Sequence, residues 1–229
     1  MTSSFNLFFW WTFGYFMFKY MANGKQWYWH VLYVMVFTLL MYVVNVNVYK
    51  DKCGFTDTWT VFKATFLPWT LIFGFLLSIL MVYPGWKSPF SNTIGYVFAV
   101  LSPSAAELKK LINPQEEFKA MQSDPLLFVN QINMDNLEEV LQEPRYMRLF
   151  TNQEAAKQLI TDLVFVKECI SEFVWFLLTG FVTISTSFNL LTNATCTQSS
   201  DQQTQAYNQN VVAEDDPVPA PKRTYFVDE

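Results

Sequence analysis

Residues 27–49 read WYWHVLYVMVFTLLMYVVNVNVY, a run of 23 residues without a charged side chain. A helix needs about 20 apolar residues to cross the roughly 30 Å of hydrocarbon in a bilayer. The run opens on Trp27, Tyr28 and Trp29, aromatic residues of the kind enriched at membrane–water interfaces. It therefore predicts a membrane-spanning helix, with Asn45 and Asn47 near its far end, within reach of interfacial water.

Three further windows lack charge, at residues 1–18, 64–86 and 173–200. Across all 229 residues, 52% are apolar and only 15% are charged, against about 25% charged in average globular chains. We expect a second span from about residue 64 to the Pro84-Gly85 pair, with Pro68 in its first turn or two. The short 50–60 loop makes residues 27–83 a transmembrane hairpin, and residues 171–192 form the third span.

Two apolar segments are too short to be clear spans. Residues 1–26 are rich in aromatic side chains and predict an interfacial helix, with a tilted or partial span as the alternative. Residues 84–103 contain about a dozen apolar residues between prolines, which predicts a turn-rich interfacial or re-entrant segment.

Residues 104–170 resemble ordinary soluble sequence and contain several helix-start signals. We expect about five short helices there, around a small core supplied by these residues: Leu108, Leu111, Ile112, Phe118, Leu126, Leu127, Val129, Leu137, Val140, Leu141, Met147, Leu149 and Phe150. From Thr151 the helical pattern runs unbroken into the third span, which predicts one helix of roughly 40 residues. Residues 193–229 are polar and predict a flexible tail. The fold class is all-α: a multi-span membrane protein with a small helical extramembrane domain.

Three spans place the N-terminus and residues 84–170 on one side of the membrane, with ten Lys and Arg residues. The 50–60 loop and the tail lie on the other side, with five when the nearby Lys63 is counted. The positive-inside rule then places the helical domain in the cytoplasm.

Few side chains suggest chemistry. His30 could serve as a proton relay or metal ligand, but its aromatic neighbours favour an interfacial anchor. Lys167, Glu168 and Glu172 flank the third span and could line a pathway, although an interface position is favoured. The small polar run Thr179, Thr183, Ser185, Thr186 and Ser187 predicts helix packing rather than a conduction path. Cys53 and Cys196 could bridge, but we expect free thiols at these two positions; the sequence does not determine the redox state of Cys169.

No nucleophile–base pair, phosphate loop or carboxylate dyad stands out, so the sequence predicts no catalytic, cofactor-binding or metal-binding residues, and no enzyme. The net charge of −5 and the pI near 4.9 argue against a nucleic-acid partner.

The stretch Tyr83-Pro84-Gly85-Trp86-Lys87-Ser88-Pro89-Phe90-Ser91-Asn92-Thr93-Ile94-Gly95-Tyr96 resembles a segment of membrane proteins of large nucleocytoplasmic DNA viruses of algae and protists. The resemblance covers this stretch alone. It implies a protein of the internal virion membrane that contacts capsid or minor capsid proteins. A weaker likeness, at Ser123-Asp124-Pro125 and Gln142-Glu143-Pro144, is to the Asp-Pro helical repeats of co-chaperones.

Two functions remain open at this point. The first is a structural anchor that lies in the bilayer, can form oligomers and docks on a protein shell through residues 104–160 and 193–229. Eleven carboxylates between Glu107 and Glu168 could face a basic partner. The second is a channel or transporter component. The absence of a charge at the centre of any predicted span favours the anchor.

The predicted topology can be tested with single cysteines introduced at positions 55, 130 and 200. A membrane-impermeant thiol reagent should label positions 55 and 200 from one side of sealed vesicles and position 130 from the other. Labelling of positions 130 and 200 from the same side would contradict three crossings.

Overall fold

A computed structural model describes residues 2–22, 28–113 and 126–196. Three of its helices are long and apolar enough to cross a membrane: α2 (Tyr28–Cys53), α3 (Thr58–Val82) and α8 (Gln153–Asn193). The prediction of an all-α chain with three spans is confirmed.

The remaining elements are also helical. They are α1 (Thr2–Met21), α4 (Pro103–Lys110), α5 (Leu126–Asn130), α6 (Leu137–Gln142) and α7 (Pro144–Met147). The four short helices α4 to α7 agree with the short helices predicted for the extramembrane region. The predicted core residue Leu127 is exposed, however. Predictions that fall on residues 114–125, including Phe118, and on the tail beyond residue 196 lie outside the described residues.

Helix α3 begins six residues earlier than the sequence predicted. Asp57 caps its first turn, because a carboxylate oxygen of Asp57 accepts hydrogen bonds from the amides of Trp59 at 3.1 Å and Thr60 at 3.3 Å. Pro68 therefore lies inside the helix instead of in its first turns. Proline has no amide proton to donate, and the helix widens into a π-helical stretch directly after it, over Trp69–Gly74.

Helix α1 packs antiparallel to α8 along the bundle. Phe5 contacts Phe181, Phe16 contacts Phe176, and Tyr20 contacts Phe165. Each step toward the end of α1 thus meets an earlier residue of α8. Helix α1 therefore contributes to the core of the bundle beside α8. Whether it lies at the interface or partly spans the bilayer stays a prediction.

Residues 84–103 were predicted to be rich in turns, and this is wrong in part. The chain does break at Tyr83, as Pro84 requires. It then continues as short helical pieces: a 3-10 helix Pro84–Lys87, α-helix Ser88–Phe90, π-helix Ser91–Gly95 and α-helix Tyr96–Leu101. Both prolines stand at first-turn positions, where a helix tolerates them. The segment runs along α8 away from the spans.

Helix α8 forms part of two separate hydrophobic cores. Ala156, Ile160, Leu163 and Val164 belong to the core of the extramembrane domain, together with residues of α4, α5, α6 and α7. Phe176 and Ile184 belong to the core of the membrane bundle, with residues of α1, α2 and α3. The predicted helix of roughly 40 residues is confirmed as a continuous helix of 41 residues.

One buried side-chain amide joins the three spans near the end of the bundle that is farther from the extramembrane domain. The side chain of Asn45 in α2 donates to Thr65 Oγ1 in α3 at 2.8 Å and to Ser187 Oγ in α8 at 3.0 Å. The prediction that Asn45 reaches interfacial water is therefore wrong, whereas Asn47 is exposed. A polar group inside a membrane bundle needs partners on neighbouring helices, and Asn45 finds two.

Two helix contacts depend on glycine. A Cβ atom at Gly180 would lie 2.0 Å from Cζ of Phe8, and one at Gly95 would lie 2.5 Å from the backbone oxygen of Lys167. Gly180 therefore lets Phe8 of α1 pack directly on α8, and Gly95 lets the 84–101 segment approach the backbone of α8. Any side chain at either position would prevent the contact.

Gly180→Ala should destabilise the bundle by about 1–3 kcal/mol, because the buried Phe8 ring has no room to move away. Thermal unfolding in detergent would measure the change. Gly14→Ala is the matched control, because nothing lies within 4 Å of its Cβ position and alanine favours helix by up to about 1 kcal/mol. Adding Phe8→Leu to the Gly180→Ala variant replaces the ring with a smaller side chain and should restore part of the lost stability. Equal melting temperatures for Gly180→Ala and Gly14→Ala would contradict this packing.

Candidate functional site

Five ionisable side chains meet at the end of the bundle from which the 84–101 segment departs. They are Lys19 of α1, His30 of α2, Lys87 of the 84–101 segment, and Glu168 and Glu172 of α8. They line a cavity of about 290 Å³, together with apolar side chains that include Leu77, Leu80 and Phe165. We call these five residues the charge cluster.

Glu172 is the centre of the charge cluster. Its carboxylate forms an ion pair with Lys19, and its second oxygen lies 3.2 Å from Nζ of Lys87. Nε2 of His30 lies 3.8 Å from the oxygen that Lys19 contacts. The carboxylate therefore joins α1 and the 84–101 segment to α8, and His30 of α2 is linked to it through the ammonium of Lys19, 3.3 Å from Nε2.

Glu168, one helical turn before Glu172, supplies the second carboxylate. One of its oxygens lies 2.7 Å from Nζ of Lys87, and the other accepts a hydrogen bond from Ser91 Oγ at 3.0 Å. Lys87 thus lies between two carboxylates on the same face of α8. Residues four apart project from one face of a helix, so the spacing of the two acids positions both for the same ammonium.

The protonation state of His30 follows from its two neighbours. Its Nε2 lies 3.3 Å from Nζ of Lys19, and its Nδ1 lies 2.9 Å from the hydroxyl of Tyr15. An ammonium group only donates hydrogen bonds, so Nε2 must accept. The proton of the neutral imidazole then sits on Nδ1 and is donated to the Tyr15 oxygen.

Two ammonium groups and two carboxylates balance within the charge cluster when His30 is neutral. Burying an ion costs several kcal/mol unless an opposite charge compensates it, and here each ion has a partner. Burial opposes the charge on Lys87, but Glu172 and Glu168 outweigh it and raise the pKa of this lysine. Lys87 is therefore charged at neutral pH. Its stabilising contribution is complete below the ordinary lysine pKa and is lost only as the pH rises through the raised value.

Lys167 points away from the charge cluster. Its ammonium is buried and donates to the backbone oxygens of Val129 at 3.2 Å, Asn130 at 2.9 Å and Ile132 at 2.7 Å, and to Asn92 Oδ1 at 3.3 Å. These carbonyls lie at and just beyond the end of α5, where helix backbone oxygens lack intrahelical partners. Lys167 thus attaches the extramembrane domain to α8.

The structure shows the surroundings of these residues. His30, Lys167, Glu168 and Glu172 were predicted at a membrane interface, and that position stays a prediction. Within the protein, His30, Lys167 and Glu168 are buried, and the side chain of Glu172 is only 15% exposed. Sequence reasoning did not identify Lys19, Lys87 or Tyr15 as partners. For Lys19, the sequence offered one indication of a special role: it is the first charged residue after the uncharged window of residues 1–18.

The small polar residues of the third span behave largely as packing residues. Ser187 bonds to Asn45, while Thr179 and Thr183 donate to backbone oxygens of their own helix. The prediction of free thiols is wrong at two positions, because Cys53 and Cys196 are disulfide-bonded; Cys169 is free and buried. Within the described part of the chain, no three His, Cys, Asp or Glu side chains are grouped as a metal site would need.

Comparisons of the chain with protein-family models, with curated proteins and with solved structures find no match.

Glu172→Gln should destabilise the fold by about 3–5 kcal/mol, since it leaves the buried ammonium of Lys19 without a carboxylate. Glu154→Gln is the matched control, because Glu154 is exposed and pairs only with the neighbouring Lys157, so the change should be small. The double variant Lys19→Met/Glu172→Leu removes both charges together and should recover much of the loss. Unfolding in detergent would measure all three. A Glu172→Gln protein as stable as Glu154→Gln would show that the charge cluster is not needed for stability.

Proposed function

We propose that this protein is a structural membrane anchor that holds a bilayer at a defined position beneath a protein shell. The observation that carries the proposal is the continuous helix α8, which belongs to the core of the extramembrane domain and to the core of the bundle. At 1.5 Å per residue, its 41 residues extend about 60 Å. Because this helix has no flexible joint, a force on a docked partner would be transmitted directly to the membrane bundle.

Contacts on either side of α8 strengthen this connection. Lys167 holds carbonyls beyond the end of α5, while Glu168 and Glu172 hold Lys87 and Lys19. These contacts fall where the helix leaves the domain and enters the bundle. A rigid junction suits an anchor, whereas transporters and gates need elements that move against one another.

The centre of the bundle supports an anchor over a channel formed by one chain. The rings of Phe8, Phe37, Trp69, Phe73 and Phe176 are almost completely buried, and they pack against one another at centroid distances near 5 Å. The charge cluster lies at one end of this aromatic core and the Asn45 amide near the other end. Water and ions would have to pass through packed aromatic rings to connect them.

The capsid as the docking partner is proposed from the resemblance of residues 83–96 to virion membrane proteins. In that setting the bilayer is the internal membrane of a large DNA virus, and the partner is a capsid or minor capsid protein. The exposed acids Glu138, Glu139 and Glu143 near α6 offer charge for a basic surface, whereas Glu168 is buried and cannot. The disulfide state of Cys53 and Cys196 supports an orientation in which the 50–60 loop faces an oxidising compartment.

Truncation after Cys196 tests the docking role of the tail while keeping every described residue. Membrane insertion should be unchanged, because all three candidate spans precede the truncation point. Recovery of capsid proteins with the tagged protein from gently solubilised infected cells, measured by quantitative mass spectrometry, should fall several-fold. Full recovery would exclude the tail from docking. A full-length protein that recovers no capsid proteins would overturn the capsid proposal.

Reconstitution separates the anchor from the channel. Proteoliposomes that contain only this protein should show no ion or solute flux above that of protein-free liposomes. Flux at transporter-like rates that Glu172→Gln abolishes would replace the anchor with a transport function at the charge cluster.

A further inference from the structure

A second cavity lies beside the charge cluster and plays no part in the anchor proposal. It is a groove of about 520 Å³ between α1, the 84–101 segment and α8. Its walls are almost entirely apolar and include Phe13 and Met17 of α1, Phe98 of the 84–101 segment, and Val166 and Phe173 of α8. We call it the apolar groove. Its size falls in the range of about 300–1,000 Å³ that is typical of small-ligand sites.

The apolar groove begins at the level of the membrane. On α8 its lining runs from Val174, just inside the uncharged third span, to Val166, about 12 Å along the helix axis. Phe13 and Met17 line the groove and also remain partly exposed, as do Trp10 and Trp11 on the same helix. The groove is therefore continuous with the lipid-facing surface at one end and extends out of the span at the other.

The walls of the groove present almost no polar atoms. Ser102, the residue before α4, lines the far end, but its Oγ is buried away from the open space of the groove. An occupant therefore meets apolar surface along the whole length of the groove.

We propose that the apolar groove holds one acyl chain of a membrane phospholipid. A protein segment is a poorer occupant, because protein interfaces carry a polar rim with many hydrogen bonds, and this groove supplies few polar groups. An acyl chain needs none along its length. This site would fix α1 and the 84–101 segment against the bilayer, and it does not depend on what the extramembrane domain docks to.

Native mass spectrometry of the full chain released from phosphatidylcholine nanodiscs tests the proposal. The wild-type protein should retain one phospholipid under activation that removes the others. Val166→Trp, which fills the groove from α8, should lose it. Val182→Trp is the matched control, because it makes the same substitution on the same helix at an exposed position outside the groove, and it should retain the lipid.

Ile94→Trp fills the groove from its other wall and should also release the lipid, so that the result does not rest on one variant of α8. Thermal unfolding confirms that each variant is folded. Equal retention by wild type and by both groove-filling variants would overturn the proposal, as would a wild-type protein that retains nothing. Retention of a free fatty acid, distinguished by its mass, would exclude a bilayer phospholipid as the source of the chain.

Discussion

The carboxylate of Glu172 pairs with lysines from two other elements, and this sets the register of the bundle. Lys19 reaches it from α1 and Lys87 from the 84–101 segment, while His30 of α2 contacts the same Lys19 ammonium. A shift of α1 along α8 would separate Lys19 from Glu172. Because an uncompensated ion in a buried site costs several kcal/mol, such a shift is strongly unfavourable. Apolar packing alone would tolerate such a slip far better, since one aromatic residue can replace another. The ion pairs therefore specify a position that hydrophobic contacts only favour.

Helix α8 also belongs to the core of the extramembrane domain, so the register fixed in the bundle also fixes the position of that domain on α8. The residues that pair with the 84–101 segment lie between the part of α8 that enters the domain core and the part that enters the bundle core. Lys167 faces the domain and Glu168 faces the bundle, although they are adjacent in sequence. Adjacent residues on a helix point about 100° apart, so one turn of α8 serves both bodies. This arrangement suits a protein that transmits position between a membrane and a partner.

The aromatic content of the chain has a structural explanation in the same terms. Eighteen per cent of the residues are aromatic. Several of these rings fill the middle of the bundle, where they pack edge to face and exclude water. Charged side chains lie at one end, in the charge cluster, and Asn45 lies near the other. The buried hydroxyls of Thr12 and Tyr33 between them are hydrogen-bonded to each other at 2.6 Å. Side chains therefore fill the middle of the bundle. The apolar groove lies at the side of the bundle and offers space for a ligand.

The uncharged windows determined the three spans and the helical class, because a long apolar run without charge can be satisfied only by a helix in lipid. The unbroken pattern after Thr151 likewise determined the long helix α8. Tertiary structure alone decided the rest. Glu172 at the edge of a window is compatible with water or with a buried partner, and only the position of Lys19, 153 residues away along the chain, decides which. The same holds for α1, whose sequence predicted an interfacial helix and did not reveal that Gly180 leaves room for Phe8 to pack against α8. Partners distant in sequence set the energy of a buried charge or a close helix contact, and no local pattern records them.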